Sequence, residues 1–264
     1  MTGPDDRHPY LAGPYPRAYA HRGWHLGELD GCENTLAAFV AAADHGLGYV
    51  ELDVHASADG IPFVHHDPTL DRTTDATGRI DARPAAELDD VLVRGVSRAE
   101  PLPRLAGVLA ALPGTRFTIE LKSDAVVGPT LAALDEAGAW DRVCLGSFSD
   151  RRLAAARTAA GARLCTSMGQ AAVTGLRARA YRVPERVLPP LSGTLAQVPP
   201  SFGPIPVASD RRFVEAAHAS GREVHVWTVD EPAEMERLLD LGVDGLLSDR
   251  PDRLLEVLGR RAPR

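Results

Sequence analysis

The chain has 264 residues, 44% of them hydrophobic and 25% charged, with a formal net charge of −7. That length suits one large core, since α/β barrels commonly run to ~250 residues as a single domain. The acidic balance argues against a general nucleic-acid surface, which needs clustered Lys and Arg.

Residues 1–16 are rich in Pro, Gly and charge and read as an irregular lead-in. Met1–Arg7 lacks the basic and apolar regions of a secretory signal. No apolar run approaches the ~20 residues of a membrane helix, so a cytoplasmic protein without membrane insertion is expected. The first apolar stretch ends in Ala20-His21-Arg22-Gly23. Leu36, Phe39, Val40 and Ala43 then fall on one helical face, with Gly46 as the stop. Tyr49–Val54 is the second strand. Glu51 and Asp53 share one of its faces, because successive strand side chains alternate.

Residues 56–101 break the rhythm. They are too long for a simple loop and too polar for a core strand pair, and they read as a small insertion at one rim. Val64-His65-His66-Asp67 lies inside it; in an extended segment His65 and His66 point opposite ways, so one of them faces the site. Leu105, Val108, Leu109 and Leu112 then form a helical stripe, and Phe117–Leu121 is a strand ending in Glu120-Leu121-Lys122. Val127, Leu131 and Leu134 mark the next helix, and Val143–Gly146 the next strand. Ser149 is placed to cap a helix through Leu153 and Ala156 that Gly161 stops. Residues 175–206 are rich in Arg and Pro and hold the weakest strand, Leu195–Val198. Phe213, Ala216 and Ala217 precede a strand over Val224–Val229; Met235, Leu238 and Leu239 precede Gly242 and the strand of Gly245–Leu247. Cys32, Cys144 and Cys165 have no CxxC spacing and read as core residues.

Strands alternating with helices imply a parallel sheet, and about eight such units imply a (β/α)8 TIM barrel with a small insertion after the second strand. A doubly wound open sheet would carry a Gly-rich phosphate loop after its first strand, which Ala20–Trp24 is not. One barrel covering 1–264, with an inserted subdomain at about 56–101, is the expected organisation.

The C-terminal ends of barrel strands build the active site. His21, Arg22, Glu51, Asp53, Glu120 and Lys122 all fall at such ends. Glu51, Asp53 and Glu120 make an all-oxygen set suited to Mg²⁺ or Ca²⁺ rather than zinc, with Mn²⁺ also admitted. Arg22 and Lys122 are candidate phosphate ligands, the one a planar fork and the other a point charge. A salt bridge from Lys122 to Glu120 or Glu51 is the alternative. His21 and His66 are acid/base candidates, with Asp67 placed to orient a ring. His55 continues the Glu51–Asp53 face and is a candidate substrate contact. Trp227 is a candidate apolar wall for the alcohol part of a substrate. Together these groups suit cleavage of a phosphate ester.

In order, His21-Arg22-Gly23, Glu33-Asn34-Thr35, Glu51-x-Asp53, Asp59-Gly60, His66-Asp67, Arg72-Thr73-Thr74, Glu120-x-Lys122, Ser147-Phe148, Trp227-Thr228, Gly242–Gly245 and Ser248-Asp249-x-Pro251 resemble the glycerophosphodiester phosphodiesterase family over residues 18–258. The resemblance implies a barrel of the phospholipase-C-like type and one divalent cation on Glu51, Asp53 and Glu120. His21 and His66 would be the acid/base pair, His66 rather than His65 because it precedes Asp67. Arg22 and Lys122 would be the phosphate ligands. The implied reaction is metal-dependent hydrolysis of a small glycerophosphodiester to sn-glycerol 3-phosphate and an alcohol. A lysophospholipase-D- or sphingomyelinase-D-like phosphodiesterase is the alternative, and predicts an apolar groove near residues 175–206. A non-catalytic phosphate-binding barrel is the alternative from another class. Two departures stand out: His55 stands where the family is often neutral polar, and residues 175–206 carry no clear family signature.

Overall fold

Period-2 alternation along the strands and Gly-stopped amphipathic helices build a (β/α)8 barrel. The structure is a computed structural model that describes residues 7–261. Residues 1–6 of the expected lead-in, and with them most of the segment read for a signal, lie outside the described residues, as do 262–264. The barrel runs β1 (Arg17–His21), α1 (Leu36–Asp44), β2 (Tyr49–Ala56), α2 (Leu105–Ala111), β3 (Arg116–Leu121), α3 (Val127–Glu136), β4 (Val143–Gly146) and α4 (Asp150–Ala160). It continues through β5 (Cys165–Thr166), α5 (Gln170–Ala180), β6 (Leu195–Val198), α6 (Arg211–Ala219), β7 (Glu223–Val226), α7 (Pro232–Leu241), β8 (Gly245–Ser248) and α8 (Pro251–Gly259). The parallel ladder is β5-β4-β3-β2-β1-β8-β7-β6. The β5/β6 seam is bridged by Ser167 and Leu195, and the Met168 N–H donates to the Leu195 carbonyl at 2.8 Å. The sheet is therefore nearly closed.

One face of each strand packs outward against helices. Ala20, Val50, Leu52, Val54, Phe117, Ile119 and Leu121 join Phe39, Val108, Leu109 and Leu134 in one buried layer. Each such fully buried large side chain contributes ~1.5–3 kcal/mol relative to exposure. The other face points into the barrel. Tyr19 and Tyr49 fill its lower half with Cys144, Cys165 and Leu247. Tyr10, from the 3₁₀ turn Pro9–Ala12 of the lead-in, inserts below them. Its hydroxyl lies 2.9 Å from that of Tyr19 and 2.7 Å from Thr118 Oγ1. All three cysteines are buried.

Helix ends follow the sequence. The Thr35, Ser149 and Asp210 side chains accept backbone N–H groups at the starts of α1, α4 and α6. Gly242 ends α7 in the left-handed region at φ 99°.

Three expectations are corrected. The buried face of α1 is Ala38, Phe39 and Ala42, while Val40 is exposed. The β1–α1 turn packs against that side of the helix: a Cβ on Gly23 would sit 2.8 Å from the Ala38 Cβ and 2.9 Å from the Phe39 ring. The strand expected to reach Val229 stops at Val226. The stretch 56–101 does contain strand pairs. Pro62–Val64 folds back antiparallel on β2, and Leu92–Arg94 pairs with Ala99–Pro101. Phe63, Leu70, Ile80, Leu88, Val91, Val93 and Leu102 cluster beneath them, so apolar residues scattered among polar ones converge. A hairpin unforeseen from the sequence, Ser201–Phe202 with Ile205–Pro206, follows β6. Among the described residues no helix is long and apolar enough to cross a membrane.

Candidate active site

Register assembles the acidic groups. Parallel pairing sets His21 abreast of Glu51, and Asp53 abreast of Glu120. Alternation puts Glu51 one layer below Asp53 on the same inward face. One carboxylate oxygen from each of Glu51, Asp53 and Glu120 lies within 4.8 Å of the others. Ligand oxygens at ~2.0–2.6 Å from a shared Mg²⁺ or Ca²⁺ have such spacings, so this oxygen-only set fits a hard cation. Glu51 and Asp53 are buried. Burial and the neighbouring Asp53 and Glu120 charges push the Glu51 carboxyl up, a repulsion that a cation held there would relieve.

Asp53 is held from three sides. The Asn34 amide donates to its Oδ2 at 2.9 Å, Lys122 Nζ donates to Oδ1 at 2.9 Å, and Arg22 Nε lies 3.5 Å from Oδ2. Burial opposes ionisation there, but Lys122 and Arg22 outweigh it and lower the Asp53 pKa. Lys122 also reaches Glu120 Oε2 at 2.9 Å. The ion pair weighed from the sequence is thus present, made to Asp53 and Glu120 rather than to Glu51. Arg22 adopts positive φ, 57°, at the turn after β1, and its Nη1 donates to Glu33 Oε1 at 3.0 Å.

Both candidate imidazoles have the same support. His21 Nδ1 donates to Asp249 Oδ1 at 2.7 Å, and His66 Nδ1 donates to Asp67 Oδ1 at 2.6 Å. A carboxylate only accepts, so each pair fixes the proton on Nδ1. His21 Nε2 lies 3.7 Å from Glu51 Oε2. Burial alone would lower the His21 pKa, but Glu51 and Asp249 together raise it. Asp67 is in turn gripped by Arg72, whose guanidinium holds its pKa far below the carboxylate range.

His21, Arg22, Glu51, Asp53, His66, Glu120, Lys122 and Trp227 all line one cavity of about 670 Å³ at the C-terminal rim. Trp227 packs edge-on to Phe148, ring centroids 5.7 Å apart. His65 faces away, its Nε2 3.0 Å from the Thr69 carbonyl. His55 is a correction. Its ring is buried outside the cavity lining, with Nε2 3.2 Å from the His66 carbonyl. β2 outruns its neighbours, and at His55 it is already paired with Phe63 of the returning segment. Burial lowers the His55 pKa to about 4.

Four supporting residues carried no role in the sequence reading. Asp249 orients His21, Asn34 orients Asp53, and Glu33 bridges Arg22 to Arg72, which in turn steadies Asp67. Each stood in a quoted motif, but nothing local in the sequence links it to its partner.

Comparison with known proteins agrees. The model of the glycerophosphoryl diester phosphodiesterase family matches residues 17–253. The "probable glycerophosphodiester phosphodiesterase 2" of Mycobacterium tuberculosis is 35% identical, covering 91% of this chain and 90% of that protein. A glycerophosphodiester phosphodiesterase of Caldanaerobacter subterraneus is 30% identical, covering 86% and 92%. Among solved structures, a phosphodiesterase of Oleispira antarctica in complex with the product sn-glycerol-3-phosphate shares the fold with a TM-score of 0.76 at 24% identity, over 95% of this chain and 99% of that one. With the motifs, the barrel and the matched model in agreement, the chain belongs to the glycerophosphoryl diester phosphodiesterase family.

Proposed function

We propose that the rim cavity hydrolyses a glycerophosphodiester to sn-glycerol 3-phosphate and a free alcohol. One observation carries this reading: two imidazoles, each backed by a carboxylate, line the same cavity as a three-carboxylate cluster and two cations. The names of the relatives at 35% and 30% identity support the substrate class.

Glu51, Asp53 and Glu120 would hold one divalent cation, Mg²⁺ or Ca²⁺ or Mn²⁺, which when bound supplies charge neutralisation to the phosphate. Arg22 offers a two-pronged donor to phosphate oxygens, its guanidinium steadied by Glu33. Lys122 adds a compact positive charge. One of His21 and His66 takes the proton of the attacking hydroxyl, and the other protonates the departing alkoxide. Asp249 and Asp67 keep each Nδ1 protonated, which leaves Nε2 as the working atom. Trp227 and Phe148 give the carbon skeleton an apolar wall.

The test is release of sn-glycerol 3-phosphate from a panel of glycerophosphodiesters, with chelator and with Mg²⁺, Ca²⁺ or Mn²⁺ restored. Release that chelation abolishes and a cation restores supports the reading. Substrate binding without release would favour a phosphate-binding barrel instead.

A further inference from the structure

We propose that Gln197 is a specificity-determining residue: its side-chain oxygen accepts a hydrogen bond from a free hydroxyl on the glycerol of the substrate. The inference rests on the phosphodiesterase reading and assigns to this site a residue that no motif of the sequence singles out.

A niche opens beside the acidic cluster. β4 ends in Gly146, which stands abreast of Glu120 in the β3–β4 ladder and lines the cavity, so no side chain fills the space there. A Cβ built on Gly146 would lie 3.6 Å from Ser167 Oγ and 3.8 Å from Gln197 Oε1. Two oxygens therefore border the gap, and both residues line the cavity. The floor is polar as well. Gln197 reaches from β6 through the barrel interior to β3, its Nε2 donating to Thr118 Oγ1 at 2.9 Å. Thr118 stands abreast of Glu51 in the β2–β3 ladder, at the level of the acids. A short hydroxylated carbon chain attached to a phosphate at the cluster suits this lining.

A side-chain amide can present either its oxygen or its nitrogen, and the barrel interior decides which. The Glu223 carboxylate only accepts, and it takes Arg17 Nη2 at 2.8 Å and His225 Nε2 at 3.0 Å. With the ring neutral, His225 Nδ1 accepts from the Tyr19 hydroxyl at 3.0 Å. Tyr19 then accepts from the Tyr10 hydroxyl at 2.9 Å, and Tyr10 from Thr118 Oγ1 at 2.7 Å. Thr118 has given its only hydrogen to Tyr10, so towards Gln197 it must accept. The amide nitrogen is committed, and Oε1 is the atom left for the cavity. A fixed acceptor rewards a ligand hydroxyl and gives nothing to a methyl group in its place.

The experiment measures, by calorimetry with divalent cation present, the binding of sn-glycerol 3-phosphate and of propyl phosphate, which lacks both hydroxyls. Wild type, Gln197→Met and Thr118→Val are compared, and turnover of glycerophosphocholine is followed alongside. Wild type should prefer glycerol phosphate roughly tenfold or more. Gln197→Met should lose most of that preference through weaker glycerol phosphate binding, with propyl phosphate affinity unchanged, which also reports an intact site. Thr118→Val, which frees the amide to turn, should lose it in the same way. A preference that survives Gln197→Met overturns the inference, and so does a wild type that binds the two ligands equally. Turnover of glycerophosphocholine in either case leaves the phosphodiesterase reading intact. A wild type that neither binds these phosphates nor cleaves the diester overturns both. Should Gln197→Met lose propyl phosphate binding as well, Thr118→Val decides: preference lost supports the inference, and preference kept overturns it.

Discussion

His21 and Asp249 stand 228 positions apart in the chain, yet Nδ1 and Oδ1 meet at 2.7 Å because β1 and β8 are neighbours in the barrel. That contact is one of the forces that keep a proton on His21. Asp249→Asn removes an attraction that raises the His21 pKa, so His21 should lose its proton at a lower pH. The limb of the pH–rate profile that reports His21 should therefore move acidward. The accompanying fall in kcat should be smaller than the ~10²–10⁴-fold expected for removing an acid/base imidazole. An Asp249→Asn profile superimposable on the wild type would remove Asp249 from the mechanism.

The acidic cluster makes a claim about stability as well as turnover. A cation that binds only the folded site stabilises it, by ~2.7 kcal/mol at a hundred times Kd. Thermal scans should show Mg²⁺ or Ca²⁺ raising the Tm of wild type. A Glu51→Gln/Glu120→Gln variant, which keeps its shape but has lost two of three anionic donors, should show no such rise. Equal rises in both proteins would place the cation elsewhere.

Glu33 joins two guanidiniums, Arg22 at 3.0 Å and Arg72 at 2.7 Å. Burial raises its pKa, but Arg72 and Arg22 lower it further than burial raises it, so it is anionic at neutral pH. Glu33→Ala frees Arg22 to swing away from the proposed phosphate position. KM should rise roughly three- to tenfold, with a smaller change in kcat, as steady-state kinetics would reveal. An unchanged KM would mean that Arg22 is positioned without Glu33.

Inside the lower barrel, Glu223 takes Arg17 Nη2 at 2.8 Å and His225 Nε2 at 3.0 Å. Burial opposes its charge, but the bonds from His225 and Arg17 bring its pKa down to about 2, against 4.5 for an ordinary glutamate. The folded state therefore binds that proton less readily than the unfolded one. The contribution, on the order of 3 kcal/mol, is fully present above about pH 4.5 and is lost as the pH falls through about 2. Glu223→Gln should be less stable at neutral pH and should show a flatter loss of stability across that acid window. Chemical denaturation at a series of pH values measures both.

Much of this site was legible because strand alternation is a strict rule. Glu51 and Asp53 were bound to share a face, and Glu120 and Lys122 repeat the pattern one strand over. The barrel followed from the same rhythm of strand, helix and glycine. What stayed hidden depended on contacts distant in sequence. Nothing in Ser248-Asp249 announces His21, and nothing in Glu33 announces Arg72. His55 falls outside the site because the alternation continues past the point where β2 leaves the rim and pairs with Phe63. Periodicity ranks Val40 above Ala38 on α1, whereas the β1–α1 turn at Gly23 packs on Ala38 and Phe39. The hairpin at 201–206 has two-residue strands, too short to show a period.

The most direct measurement is sn-glycerol 3-phosphate release from glycerophosphocholine by wild type, His21→Ala and His66→Ala, with divalent cation present. The account predicts turnover by the wild type and a loss of ~10²–10⁴-fold in each variant, with folding retained. Turnover that survives both substitutions would contradict it, and so would a wild type that binds the diester without cleaving it.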